Sequence, residues 1–113
     1  MMMRDPIELR SGVHVWHGLL DRAEQEALVD DIRDVVNAAP LFRPVTARGR
    51  PMSVRMTSAG DFGWVSDRAG YRYERRHPDG VPWPDIPPRV LETWRAVSGT
   101  TRAPQCCLVN FYD

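Results

Sequence analysis

The chain has 113 residues, enough for one domain with one modest core, because a chain of this size buries roughly two-thirds of its unfolded surface. Its apolar fraction of 42% and charged fraction of 27% are ordinary for a soluble globular protein, and no apolar run is long enough to cross a bilayer. No apolar run follows Arg4 either, which argues against a signal peptide, so we expect a cytoplasmic protein without a membrane partner.

The formal net charge is zero, but the charges are unevenly distributed along the chain. Residues 43–76, here called the middle block, hold eight Arg against three acidic residues, a local net charge of +5. Every basic residue of the chain is Arg, which can bind phosphate through two parallel hydrogen bonds. Such a basic segment is typical of a polyanion-binding surface, although a solvated loop would explain the charge equally well.

Local signals predict two elements in the first 40 residues. Residues 13–16 alternate in polarity between two glycines, which indicates a short strand. Asp21 followed by Glu24 has the form of a capping box, and the apolar residues after it recur at helical spacing. We therefore predict a helix from Arg22 to Ala38, ended by Pro40, because proline disfavours helical geometry in the residue before it.

The rest of the chain alternates between strand-like and helix-like segments. Residues 51–57 and 70–73 predict strands of a hairpin-rich layer, and the prolines of residues 82–88 predict an irregular connection. Pro88 can open a second helix that Gly99 would cap, with an apolar face formed by Val90, Leu91, Trp94 and Val97.

The apolar run at residues 106–112 predicts a strand that is buried on both faces. Cys106 and Cys107 lie in it as neighbours, a spacing that suits neither a disulfide framework nor a zinc pair, so we interpret them as buried strand residues. A strand buried in this way needs a partner on each side, yet no strand follows it. This is the pattern expected of a severed domain.

Candidate metal ligands are few. His77 and Asp79 have the His-x-Asp spacing of a mononuclear iron site, but no later His completes the set, so we interpret them as part of a solvated turn. His14 and His17 are three residues apart near a strand end and should point to opposite faces. The sequence therefore predicts no catalytic residue and no metal ligand in this chain.

The basic middle block also carries aromatic and thioether side chains: Met52, Met56, Trp64, Tyr71 and Tyr73. Aromatic faces stack on nucleobases for about 1–3 kcal/mol each, while Arg holds the phosphate backbone. The alternative is that these residues form the ordinary core of a small sheet.

Taken in order, several separated motifs resemble the lid region of bacterial AlkB proteins, a family of iron(II)/2-oxoglutarate-dependent DNA-dealkylation dioxygenases. The motifs are Phe42 to Thr46, Met52 to Gly60, Gly63-Trp64, Gly70 to Tyr73, Pro82 to Pro87 and Cys107 to Tyr112. The resemblance covers about residues 12–112. It implies an α+β fold in which an N-terminal helix and a nucleotide-recognition lid precede a double-stranded β-helix, or jelly roll.

On this resemblance, residues 1–113 form a single partial domain, with the lid at about 42–87 and the first core strand at about 106–112. The residues that would line or support the lid are Thr46, Met52, Trp64 and Tyr71. Trp64 is the best candidate to stack on an alkylated base that has been flipped out of its strand. The residues that would face the 2-oxoglutarate pocket are Leu108, Asn110 and Tyr112.

The chain departs from the family pattern after that strand, where the family continues to a His-x-Asp motif, a distal His and an Arg for the cosubstrate. The cofactors implied for the intact family are Fe(II) and 2-oxoglutarate, which together hydroxylate an N-alkyl group that leaves as an aldehyde. Without these ligands we predict that the chain alone is inactive.

Three hypotheses follow. The chain is a truncated, split or frameshifted piece of an enzyme that repairs alkylated DNA or RNA, which another chain carrying the second half of the jelly roll could complement. Alternatively, it is a non-catalytic protein that binds single-stranded nucleic acid, or an unrelated small α+β domain with a coincidental pattern.

Overall fold

The computed structural model describes residues 5–113, which form two helices and six strands in three two-stranded antiparallel sheets. In chain order the elements are β1 Ile7–Arg10, β2 Val13–Val15, α1 Arg22–Ala38, β3 Arg55–Gly60, β4 Gly63–Asp67, β5 Gly70–Glu74, α2 Pro88–Ser98 and β6 Cys106–Phe111. The sheets pair β1 with β2, β3 with β6, and β4 with β5. Neither helix is long and apolar enough to span a membrane. The chain is therefore a small α+β protein, as predicted.

Helix α1 has the predicted bounds because both of its ends are determined locally. The Glu24 amide donates to the Asp21 carboxylate at 2.8 Å, and the Asp21 amide donates to the Glu24 carboxylate at 3.1 Å. This reciprocal capping box satisfies two amides that have no partner within the helix. The helix ends at Ala38, two residues before Pro40.

Helix α2 also matches the prediction. Pro88 occupies its first turn, and Gly99 ends it in the left-handed conformation with φ of 69°. Val90 and Leu91 pack against the core. Trp94 lies instead at the surface, 39% exposed, where its indole N–H donates to the Arg102 carbonyl at 2.9 Å.

Two strands, β1 and β4, lack a clear local signal and were not predicted. β1 pairs with the predicted strand β2, and β4 pairs with β5 through a turn at Arg68 and Ala69. That turn has no Asn-Gly or Asp-Gly pair, the sequence signature by which tight hairpins are usually found. β3 begins at Arg55, four residues later than the predicted start, because residues 51–54 lie in a loop that makes one bridge, Val45 to Pro51.

Strand β6 forms as predicted, but the expected burial on both faces is wrong. It pairs along one edge with β3, from Arg55 opposite Phe111 to Gly60 opposite Cys106. Cys107 and Val109 point toward the core, whereas Leu108, on the opposite face, is 45% exposed. Burial follows the two-residue period of a half-exposed strand because, within residues 5–113, only one face of β6 is packed against the helices.

Both cysteines are accordingly half-buried and unpaired, rather than fully buried. Burial, together with the neighbouring Cys106, raises the pKa of the Cys107 thiol above its ordinary value. A raised pKa keeps this thiol protonated near neutral pH, which suits a packing residue rather than a nucleophile.

Two small apolar clusters hold these elements together. The first joins α1, β3 and the segment before α2, through Val35, Ala59 and Ile86. The second joins the end of α1 to the β4–β5 hairpin through Ala39, Val65 and Trp83. The hairpin is therefore fixed to the helix by one face, and its other face remains available for a ligand.

A substitution of Gly63, at the start of β4, would test the packing around Trp83 in the second cluster. A Cβ atom at this position would overlap the indole ring of Trp83, and the backbone there is not left-handed, so the clash is purely steric. We expect Gly63→Ala to lower the free energy of unfolding by about 1–3 kcal/mol, measured by urea denaturation. The same substitution should cost less in a Trp83→Phe background, which removes the fused ring; an unchanged cost would contradict the packing described here.

Candidate functional site

A groove of about 410 Å³ lies between β6, the β4–β5 hairpin and the segment that leads into β3. Its walls are mainly apolar and aromatic, and none of the lining residues is charged: Met52, Val54, Met56, Trp64, Tyr73, Cys106, Leu108, Asn110 and Tyr112. A pocket of this composition suits a flat, largely apolar group with few polar atoms.

Strand alternation explains why these residues meet. On β6, Leu108 and Asn110 face the groove, while Val109 between them packs against the core. On β3, Met56 pairs with Asn110 across the sheet and so lies on the same face. On the hairpin, Trp64 pairs with Tyr73 and both line the groove. The neighbour of Trp64, Val65, points the other way into the second apolar cluster.

The hairpin presents an aromatic surface at the groove. The rings of Trp64 and Tyr71 are stacked, with 6.2 Å between their centroids and 24° between their planes. Tyr71 is 76% exposed. Such an exposed pair can extend onto a nucleobase, since every base has a π-face that stacks on aromatic side chains.

The polar groups of the groove come from the end of β6. The Asn110 amide nitrogen lies 3.4 Å from the Tyr112 hydroxyl, to which it donates a hydrogen bond. Both side chains are exposed, so their remaining donors are free to contact a ligand oxygen. An amide and a phenol can bind a carbonyl or carboxylate oxygen by hydrogen bonds, but neither supplies a positive charge.

The seven residues predicted for the two binding surfaces divide into three groups. Five of them line this one groove: Met52, Trp64, Leu108, Asn110 and Tyr112. Tyr71 lies beside the groove, stacked on Trp64. Thr46 lies outside the lining; it organises a turn, in which its hydroxyl accepts from the Arg50 amide at 3.2 Å and its carbonyl accepts from Gly49 at 2.8 Å.

Four lining residues were not among the predicted site residues: Val54, Met56, Tyr73 and Cys106. The alternation that places Leu108 and Asn110 on one face also includes Cys106, so this residue could have been found from the sequence. Tyr73 was noted among the aromatic residues of the middle block, but its place in the groove required knowledge of the hairpin register, which positions it opposite Trp64.

The interpretation of His77 as part of a turn is confirmed, but the turn is not solvated around this side chain. His77 is only 3% exposed, with its ring 5.2 Å from that of Phe42 and 5.4 Å from that of Trp83. Its Nδ1 accepts from the Asp79 amide at 3.0 Å, and its Nε2 therefore carries the proton that it donates to the Pro40 carbonyl at 2.6 Å. Both ring nitrogens are occupied, so His77 acts in packing rather than in metal binding.

The outer end of the hairpin carries a network of charges. Arg72 forms a two-point contact with Asp67, at 2.9 and 3.0 Å, and also bonds Glu74. The Arg72 guanidinium, with help from the Ala69 amide, holds the pKa of the Asp67 carboxyl below its ordinary value of 3.8. Conversely, the two carboxylates raise the pKa of Arg72.

The contact between Arg72 and Asp67 predicts a measurable shift in the pKa of Asp67. Asp67 should titrate below pH 3.8 in the native protein, and in the Arg72→Gln variant its pKa should rise towards 3.8. Because the folded-state pKa is the lower one, the stability that Asp67 contributes is present above pH of about 4 and is lost as the pH falls through the native pKa. Carboxyl-carbon NMR checks both values; an Asp67 pKa that does not respond to the substitution would contradict the contact.

Comparison with known proteins identifies the family. Residues 12–113 match the 2OG-Fe(II) oxygenase superfamily. The chain belongs to this superfamily. The sequence is similar to an alpha-ketoglutarate-dependent dioxygenase AlkB homolog from Caulobacter vibrioides, 46% identical over 98% of this chain and 51% of the relative. AlkB of Salmonella typhimurium is 38% identical over 92% of this chain and 50% of that protein. The predicted AlkB-type resemblance is therefore confirmed.

A third relative, AlkB of Escherichia coli, is 35% identical over 77% of this chain and 43% of its own length. The chain spans about half the length of the curated relatives that it matches.

The superfamily name implies two bound groups, iron and 2-oxoglutarate. The described residues suit contact with 2-oxoglutarate better than they suit iron binding. No group of three His, Cys, Asp or Glu within residues 5–113 is arranged to hold a metal ion, so these residues do not supply an iron site. Asn110 and Tyr112 could contact 2-oxoglutarate through hydrogen bonds, but the groove lining offers no cation to pair with its carboxylates. The described residues thus offer these two groups hydrogen-bond donors, but neither a metal site nor a cation in the groove lining.

Proposed function

We propose that this chain provides the base-binding lid and part of the 2-oxoglutarate pocket of an AlkB-type enzyme that repairs alkylated DNA or RNA by oxidative dealkylation. The groove carries this proposal, because it brings lid residues Met52 and Trp64 together with Leu108, Asn110 and Tyr112 of β6. A target base held by the lid would thus lie next to the surface that contacts the cosubstrate.

The residues of the groove would bind and orient the base. Trp64, supported by Tyr71, stacks on one face of a base that has left its strand, as enzymes that act on a single base require. Met52 and Met56 form an adaptable wall, since thioether side chains adjust to differently shaped apolar groups such as an added alkyl group. Asn110 and Tyr112 orient the cosubstrate oxygens by hydrogen bonds.

The β3–β6 pair would be the first strands of a double-stranded β-helix, and the second half, carried by further sequence or a separate chain, would cover the exposed face of β6. Leu108 on that face supports the idea, because a large apolar side chain left 45% exposed is stabilised when a partner covers it. We expect such an enzyme to work in the cytoplasm.

The proposed substrate is tested by binding to two matched oligonucleotides. We expect a fluorescently labelled single-stranded DNA with one N-methylated base to bind more tightly than the unmodified strand of the same sequence. The reason is that the methyl group adds apolar area which the groove can bury. Equal affinities would instead favour a non-catalytic protein that binds any single strand, a function that the exposed Tyr71 and Tyr73 would also serve.

Consumption of 2-oxoglutarate tests the proposal that the iron ligands lie outside residues 5–113. Because residues 5–113 supply no iron ligand set, we expect the chain alone to consume no 2-oxoglutarate in the presence of Fe(II) and methylated DNA. Addition of a polypeptide that carries the His-x-Asp and distal His half should restore turnover. Turnover by the chain alone would contradict the assignment, and the same polypeptide with both His replaced by Ala serves as the control.

A further inference from the structure

Five of the eight arginines in the middle block are occupied within the protein. Arg43 and Arg55 contact Asp113 at 4.0 and 3.1 Å, and Arg72 binds two carboxylates of its own hairpin. Arg75 lies over the ring of Phe62 at 4.7 Å, and Arg76 donates to the Gly80 carbonyl at 3.0 Å. The excess of positive charge seen in the sequence is therefore not equally available to a ligand.

The other three, Arg48, Arg50 and Arg68, are exposed, and their side chains form no ion pair or hydrogen bond with any residue in the range 5–113. They lie on two neighbouring turns. The Val45 amide donates to the Ser66 carbonyl at 3.1 Å, and the Ser66 hydroxyl donates to the Val45 carbonyl at 2.7 Å. These two bonds hold the turn at residues 46–50 against the hairpin whose turn carries Arg68.

Gly49 shows how closely the Arg68 side chain approaches the turn at residues 46–50. A Cβ atom at Gly49 would lie only 2.5 Å from the Arg68 Nη2, so the guanidinium of Arg68 rests against the glycine backbone between Arg48 and Arg50. Three arginines thus lie on two turns that are held together, where like charges repel. Asp67, the residue before Arg68, is already bound to Arg72.

Both turns adjoin residues of the aromatic groove along the chain. Arg50 lies two residues before Met52, and Arg68 lies three residues before Tyr71, which stacks on Trp64. A strand whose base entered the groove would therefore bring its phosphates to these turns. We propose that Arg48, Arg50 and Arg68 form a phosphate-binding patch for the backbone of a single-stranded nucleic acid, an inference that rests on the proposed function.

The patch is tested by the salt dependence of binding to the methylated single-stranded DNA. Each lost phosphate contact should reduce the slope of log K against log salt concentration by about 0.7, so the triple Arg→Gln variant should lose about 2 from the slope. Trp64→Ala should weaken binding at every salt concentration without changing the slope, because stacking releases no counterions. Arg95→Gln is the matched control: Arg95 is an exposed arginine on α2, away from both turns, and its slope should equal that of the wild type.

The outcomes separate the patch from the proposed function. If Trp64→Ala weakens binding and the triple variant keeps the wild-type slope, the patch is overturned and the proposed function stands. If Arg95→Gln reduces the slope as much as a single patch substitution, net charge explains the effect and the patch is again overturned. If the wild type binds neither strand, both proposals fail. Each single Arg→Gln variant should lose about 0.7, which keeps the test valid even if the triple variant misfolds.

Discussion

Trp83→Ala is expected to lower the free energy of unfolding by about 3–5 kcal/mol, the usual cost of removing a large aromatic side chain from a core. Trp83 is 6% exposed and packs against Ala39 and Val65, while its indole N–H donates to the Glu74 carbonyl at 2.8 Å. The substitution thus removes both the packing that fixes the hairpin to α1 and the partner of a carbonyl group. A loss of this size is a large part of the roughly 5–15 kcal/mol that stabilises a typical domain.

Urea denaturation followed by circular dichroism would measure this loss, with Trp94→Ala as the matched control. Trp94 also donates its indole N–H to a backbone carbonyl, but it lies at the surface, so we expect its removal to cost about 1 kcal/mol. Equal losses in the two variants would show that Trp83 does not form the centre of the second apolar cluster.

Trp64→Ala is expected to weaken binding of single-stranded DNA about 5- to 150-fold, the equivalent of the roughly 1–3 kcal/mol that one aromatic stacking contact contributes. Trp64 lines the groove and supports the exposed ring of Tyr71, so its loss removes a stacking surface and loosens a second one. The effect on stability should be smaller than that of Trp83→Ala, because Trp64 lies outside both apolar clusters.

Fluorescence anisotropy with labelled oligonucleotides would measure the effect, and Trp64→Phe is the conservative comparison. Phenylalanine keeps an aromatic face, so this variant should retain most of the affinity, whereas Trp94→Ala, on α2, should retain all of it. Binding that is unchanged in Trp64→Ala would contradict the role of the groove as a base-binding site.

The local sequence determined both helices of this protein. The capping box at Asp21, the proline at position 88 and the glycine at position 99 act within one helical turn, so the helix bounds can be predicted without knowledge of the fold. The strand character of β6 was equally plain from its apolar run. The ordered motifs were sufficient to indicate the family, and the family match confirmed it.

Only the tertiary structure determined which strand faces are exposed and which charged side chains are free to contact a ligand. The exposure of Leu108 depends on what covers β6, and the burial of His77 depends on Phe42 and Trp83, whose rings it meets only after the chain has folded. Thr46 was expected to line or support the lid, and only the folded chain shows that its hydroxyl is engaged in its own turn.

The availability of the arginines was likewise decided by folding. Arg55 meets Asp113 across 58 positions of sequence, whereas Arg68 rests against Gly49 and forms no ion pair within residues 5–113. Caps and strand periodicity involve neighbours along the chain, which the sequence displays directly. Burial and charge pairing join residues that are distant in sequence, and they follow from strand register and packing rather than from composition.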